Sequence, residues 1–316
     1  MILHYDHYRT GQRKRGARTI LIPVISVVLV IAIVLVLALH VPSRLFGGGA
    51  VRQAPGRLPD LWKAGQYEAV IAAADSILRE DPLSPAALTY RGFASFYRAV
   101  TESAGEERSA LLDQTILSLR RARLVATPFG GEADYVLGKA YFLKGKYYYD
   151  LAISSMESSL AKGYEQKDSN QYIGVAYAQL GEYEKALGYF LTALKADTSD
   201  MLLLTIGLTY YQMKRSNDAV DYFLRTLNKT QDKGIEEQAR FKLAEIYSDR
   251  GDLFKAEEQL LDIAKIDTHS AEAHYQLGEV YAKMNDPVRA RAEWRNALII
   301  DPSHYGAKLR YYPAKR

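Results

Sequence analysis

Residues 167–199 read KDSNQYIGVAYAQLGEYEKALGYFLTALKADTS. The stretch contains two amphipathic patterns with apolar residues at helical spacing, which places those residues on one face of each helix. Gly181-Glu182 breaks the pattern and reads as the corner between the two. A helix pair of this kind cannot bury its apolar face alone, so it needs neighbours of the same sort. The flanking sequence supplies them.

The constellation Ile173-Gly174, Tyr177, Gly181, Tyr183, Ala186, Phe190 and Ala193 returns on both sides. Upstream it is Leu137-Gly138, Tyr141 and Gly145, followed by Ala152 and Met156. Downstream come Ile206-Gly207 and Tyr210 with Ala219 and Phe223, then Leu243-Ala244, Tyr247 and Gly251 with Ala256 and Leu260. The last full copy is Leu277-Gly278 and Tyr281 with Ala290, Trp294, Ala297 and Asp301-Pro302. Two weaker copies lead the series, Gly65-Gln66-Tyr67 with Asp81-Pro82, and Arg91-Gly92 with Ala122. Seven units therefore run from about Val51 to His304.

This pattern resembles the tetratricopeptide repeat, a helix–turn–helix of about 34 residues whose small residues let its helices pack closely. The resemblance implies an all-α solenoid of about seven repeats over residues 58–304. It places Gly138, Gly174, Gly207 and Gly278 where the second helix of each unit crosses the first. Ala186 and Ala193 would face Gly174, and Tyr177 and Phe190 would fill the space between repeats. Tyr141, Tyr210 and Tyr281 repeat the role of Tyr177. Residues 305–316 are expected to begin a short helix that caps the last apolar face, as solenoid ends require. At the other end, the clipped first helix near Leu58 is expected to cap poorly.

Breakers agree with these boundaries. Pro82, Pro85, Pro128, Pro302 and Gly163 fall between predicted helices, and Pro287 suits the first turn of a helix capped by Asn285 or Asp286. Gly92 and Gly138 are 46 residues apart, whereas later equivalent positions are 33 to 37 apart. The second unit is thus enlarged by about twelve residues, expected around 101–109, where insertions in repeat arrays form loops. Ser103 with Glu106 predicts a capping box there.

The N-terminal segment has a different character. Residues 20–41, ILIPVISVVLVIAIVLVLALHV, are apolar almost throughout. A 22-residue helix reaches about 33 Å, enough for a hydrocarbon core of about 30 Å. A cleaved signal peptide also starts with basic residues, but its apolar core is about 7–15 residues. The span is read as a signal anchor. Arg9, Arg13, Lys14, Arg15 and Arg18 precede it, so residues 1–19 are expected to stay cytoplasmic. Residues 42–57, with Gly47-Gly48-Gly49, read as a flexible linker. In a bacterium the solenoid would then lie outside the inner membrane.

Charge narrows the partners. Of 41 basic and 37 acidic residues, five and one fall within 1–41, which leaves 36 of each. The sequence pI near 8.9 therefore belongs to the tail, and the folded part has no electrostatic case for nucleic acid. With no cysteine, disulfides and thiolate sites are excluded. His269 and His274 are five apart and do not align for a metal on one helix. There is no phosphate-binding loop, nucleophile elbow or HExxH. The sequence predicts no enzyme, no cofactor, no metal and no small-molecule substrate.

In the family, peptide ligands usually lie against the first helices. The groove positions are expected three residues before each small residue and one and four after it. They are Thr89, Phe93 and Phe96; Tyr135, Lys139 and Phe142; Gln171, Val175 and Ala178; Leu204, Leu208 and Tyr211; Phe241, Glu245 and Ser248; and Tyr275, Glu279 and Ala282. The first four sets are mostly apolar or aromatic, so an amphipathic helix or apolar extended segment would fit. Burial of the same side chains by superhelical packing is the competing reading. The Lys–Asn–Arg clamp of chaperone-binding relatives is not recognisable: Lys139 is present, but Gln171, Val175, Leu204 and Leu208 occupy comparable surface.

The expected function is an anchored scaffold for proteins of the cell envelope, as part of an export, secretion, pilus or flagellar machine. A chaperone or receptor that holds apolar segments transiently is the alternative. An organellar outer-membrane receptor facing the cytosol is another.

Overall fold

The computed structural model describes residues 57–312 apart from 103, 126 and 128. The expected span at 20–41, its flanking tail and nearly all of the linker lie outside the described residues. Residues from Leu58 onward form a compact unit of their own. Among the described residues every regular element is helical, and no helix is long and apolar enough to cross a membrane.

Seven antiparallel pairs follow one another. They are α1 (Leu58–Lys63) with α2 (Tyr67–Glu80), α3 (Pro85–Thr101) with α4 (Glu106–Ala122), and α5 (Gly130–Lys144) with α6 (Tyr149–Ala161). Next come α7 (Ser169–Gln179) with α8 (Tyr183–Ala196), and α9 (Asp200–Gln212) with α10 (Ser216–Lys229). The series closes with α11 (Lys233–Arg250) and α12 (Leu253–Ile266), then α13 (Ala271–Lys283) and α14 (Pro287–Ile300). The short helix α15 (Tyr305–Tyr311) packs on α14 as the expected cap. Each helix packs mainly on the next, and several first helices also touch the first helix of the following unit, as α5 does α7 and α9 does α11.

The turn inside most pairs needs one residue with positive φ. Gly145, Gly181 and Gly251 supply it, but Lys214 and Asn285 adopt φ of 60° and 59° in their place. The starts of α9, α11, α13 and α14 are capped by side chains. Ser199 accepts from Leu202 N–H, Asp232 from Gly234 and Ile235, Ser270 from Ala273, and Asp286 from Arg289 just after Pro287.

The packing corrects one expectation. Phe190 does not lie between repeats; it fills the hollow inside its own unit, where a Cβ on Gly174 would sit 2.5 Å from its ring. Phe223 stands over Gly207 and Trp294 over Gly278 in the same way, each 16 residues after its glycine. Met156 over Gly138 and Leu119 over Gly92 complete the series with aliphatic side chains. Ala186 and Ala193 are buried beside this contact, too small to fill it themselves. Tyr177 does bridge units, since its hydroxyl donates to Glu157 of the preceding second helix at 3.0 Å. Tyr281 repeats the bond with Glu257 at 2.8 Å.

The enlarged second unit also differs from expectation. Its extra length goes into two 17-residue helices and the connection from α4 to α5, not into a long loop at 101–109. Glu106 opens α4 as its first residue with Gly105 as N-cap, so no capping box forms. The N-terminal end is better covered than the short α1 suggested. Trp62 packs tilted or edge-on at 5.2–6.1 Å against Tyr67, Tyr90, Phe93 and Tyr97, closing the first unit over the second.

Candidate interaction surface

The expected groove positions do come together along the row of first helices, but they are not equally accessible. Phe93, Phe96 and Leu204 are buried, as are Thr89 and Ala178. Tyr135, Phe142, Val175, Leu208, Tyr211 and Phe241 are half-buried, with one edge left to solvent. The apolar run at the start of α9 is accounted for by packing, since Leu202, Leu203, Leu204 and Ile206 are all buried.

Polar bonds link the lining from unit to unit. Between the third and fourth units, Tyr135 donates to Asp168 at 2.6 Å and Lys139 donates to the same carboxylate at 2.9 Å. Lys139 also sits 4.6 Å above the Tyr172 ring, a cation–π contact. Burial works against its charge, but the bonds to Asp168 and Tyr135 win and hold its pKa above the ordinary lysine value. Burial and the bond to Asp168 push Tyr135 upward as well.

Between the fifth and sixth units, Tyr211 donates to Glu245 at 2.5 Å, and Lys242 donates to the other oxygen at 2.8 Å. Burial and the acceptor Glu245 push Tyr211 up to about 12. Burial opposes the charge of Glu245, yet its bonds from Lys242 and Tyr211 leave its pKa below the usual value. Glu245 is thus charged at neutral pH. Beyond it, Lys283 donates to Ser248, and Arg310 of the cap donates to Glu279 at 2.6 Å. Glu245, Asp249, Glu272 and Glu279 line a hollow of about 280 Å³ with Tyr275 and Lys283, so the acidic end expected from sequence is present.

The lining therefore changes along its length. It is aromatic at the first two units, apolar where Val175 and Leu208 meet the fourth and fifth, and acidic at the sixth and seventh. Among the described residues no group of His, Cys, Asp or Glu could hold a metal.

Three residues that shape this surface are not legible as such from the chain. Trp62 lies in a short leading helix that resembles linker. Asp168 stands outside the helices, as the N-cap of α7. Asp134 on α5 looks like a solvated acid, yet it is wholly buried. It accepts from Ser158 at 2.5 Å and Lys162 at 2.6 Å, with Arg123 at 3.2 Å. An acid four residues before the crossing glycine is the one signal that could have marked it.

Tandem helix hairpins sharing one continuous lining define an interaction scaffold, a class whose surface binds protein or peptide partners. Two stretches, residues 149–200 and 271–304, match tetratricopeptide repeat families. These two stretches carry tetratricopeptide repeats, and proteins built of such repeats are typically non-catalytic scaffolds. No curated protein sequence matches it. Among solved structures, the C-terminal part of a TPR repeat-containing protein from Cytophaga hutchinsonii is 17% identical with a TM-score of 0.64, covering 81% of this chain and 99% of that one. A MamA protein is 18% identical with a TM-score of 0.50, over 60% of this chain and 99% of that one. A tetratricopeptide repeat protein from Parabacteroides merdae is 22% identical with a TM-score of 0.49, over 69% and 87%. The first two likenesses are of fold.

Proposed function

We propose that the chain is a single-pass, N-terminally anchored scaffold of the bacterial cell envelope, with its solenoid on the extracytoplasmic side of the inner membrane. There the row of first helices takes an apolar or amphipathic segment of an envelope protein. The observation that carries the groove reading is the half-buried apolar lining at Val175 and Leu208, flanked by polar bonds that fix its walls. Those bonds hold neighbouring first helices in register, so a ligand meets a preformed surface and loses little by ordering it. Anchoring adds to this by raising the local concentration of membrane-bound partners, so weak contacts suffice. The 22-residue apolar run and the basic cluster before it support the anchor and its orientation.

Crosslinking in cells from a photoreactive residue at Tyr211 identifies the partner. Leu208→Glu, which places a carboxylate in the apolar stretch, is expected to abolish that crosslink and leave the cooperative melting transition in place. If Leu208→Glu unfolds the unit, the side chain belongs to the core and the groove reading fails.

Topology has its own test, made clean by the absence of native cysteine. A thiol introduced at exposed Phe254 is expected to react with a membrane-impermeant maleimide in cells whose outer barrier is permeabilised and whose inner membrane is intact. Reaction only after the inner membrane is broken reverses the orientation.

A further inference from the structure

We infer that the solenoid carries a second surface, next to the tether, that rests on anionic lipid headgroups through Leu83, Leu117, Leu124 and the arginines beside them. All first helices run one way, so each begins on the edge where the preceding second helix ends. α1 is a first helix, and the chain therefore enters at Leu58 on the edge that carries the α2–α3 turn and the end of α4. Arg121 ties those two together by donating to the Pro82 carbonyl at 2.6 Å.

Large apolar side chains stand out from this edge. Leu124 is 81% exposed, Leu117 54% and Leu83 51%. Leu117, Arg120 and Arg121 are spaced i, i+3 and i+4 along the last turns of α4, and Leu124 follows in the turn just past its end. Single exposed leucines are ordinary, but leucines interleaved with arginines suit a surface at headgroup depth, with apolar tips inserted and guanidinium groups on phosphate.

Charge decides in favour of anionic lipid. Arg79, Arg120 and Arg121 gather here, against Glu80 and Asp81 on the turn, while Arg123 is held by buried Asp134. The nearby acids Asp75 and Asp113 are already paired, with Arg91 and Lys144.

Reach agrees with this. Residues 42–56 span at most about 50 Å when fully extended, which bounds the distance from a span at 20–41 to Leu58. The inference rests on the anchor proposed above.

The test uses the full cysteine-free chain with one thiol, at Leu124 or at distal Phe254, carrying an environment-sensitive dye. It is reconstituted with vesicles of phosphatidylcholine, alone or mixed with phosphatidylglycerol, that contain a lipid-borne quencher. The dye at Leu124 is expected to be quenched in the anionic vesicles and much less in the neutral ones, while the dye at Phe254 responds to neither. Arg120→Gln should weaken the response about fivefold, the contribution of one basic side chain near an anionic surface. High salt should weaken it further. Equal response at the two sites, or indifference to lipid charge, overturns the proposal and leaves the leucines to a protein partner. The anchor is read separately, from whether the unlabelled chain stays with the vesicles in alkaline carbonate. A chain that stays while Leu124 is silent keeps the anchor and discards the lipid surface. One that washes off while Leu124 still responds does the reverse.

Discussion

Phe190→Ala is expected to lower the unfolding free energy by about 3–5 kcal/mol, the cost of emptying a fully buried aromatic site. The ring fills the hollow at Gly174 with no solvent exposure, and helices on both sides fix the walls of that hollow. Collapse is limited because α7 and α8 are also held by Ala186 and Ala193 against their neighbours. The reciprocal change is more telling. Gly174→Ala places a methyl carbon 2.5 Å from the ring, closer than carbon atoms approach, and should destabilise although it favours helix formation. Combining Gly174→Ala with Phe190→Leu should recover part of the loss, because the smaller knob leaves room for the methyl group. Chemical denaturation of the four proteins closes a double-mutant cycle. A sum of single effects with no coupling would show that the two residues do not share the site.

The second large effect is expected at Asp134. Its carboxylate has no solvent exposure, whereas Arg123 and Lys162 keep 41% and 47% of theirs. Losing the acid leaves two cations that water can still reach; losing both cations leaves a buried, uncompensated carboxylate. Arg123→Met with Lys162→Met should therefore cost about 3–5 kcal/mol, more than Asp134→Asn alone. Adding Asp134→Leu to that pair should restore much of the loss, since an apolar replacement of a buried ionic group is often neutral. Urea unfolding midpoints give the order. A triple variant as unstable as the double would mean that the cluster acts through side-chain packing and not through charge.

The fold was legible because its signals are local. A small residue three positions before a tyrosine, with an alanine and a large side chain following, repeats often enough to fix pairing and count. What escaped depends on where helices cross. The partner of Gly174 is 16 residues away across a turn, and only the crossing point tells whether Phe190 faces its own unit or the next. The second unit misled for a related reason. Ser103 and Glu106 suit a capping box, but α3 continues to Thr101 and the chain turns at Gly105, so the added residues lengthen helices. Of the groove, residue type was legible and accessibility was not. Phe93 occupies the same register as Val175 and Leu208, one residue after the small one, and only its neighbours bury it. Asp134 was hidden because an acid on a helix reads as solvated until residues 24 to 28 positions later fold back onto it.

The knob over each glycine has a kinetic consequence. Phe190, Phe223 and Trp294 each meet a residue only 16 positions earlier, so the contact that closes a unit forms as soon as that unit's own helices exist. Chains dominated by such short loops fold quickly, because little loop entropy is lost before the contact forms. As the polypeptide leaves a ribosome, or a translocation channel on the reading proposed above, each hairpin can close behind the last without waiting for the C-terminus. The emerging array would hold its apolar faces open for no longer than one hairpin takes to appear.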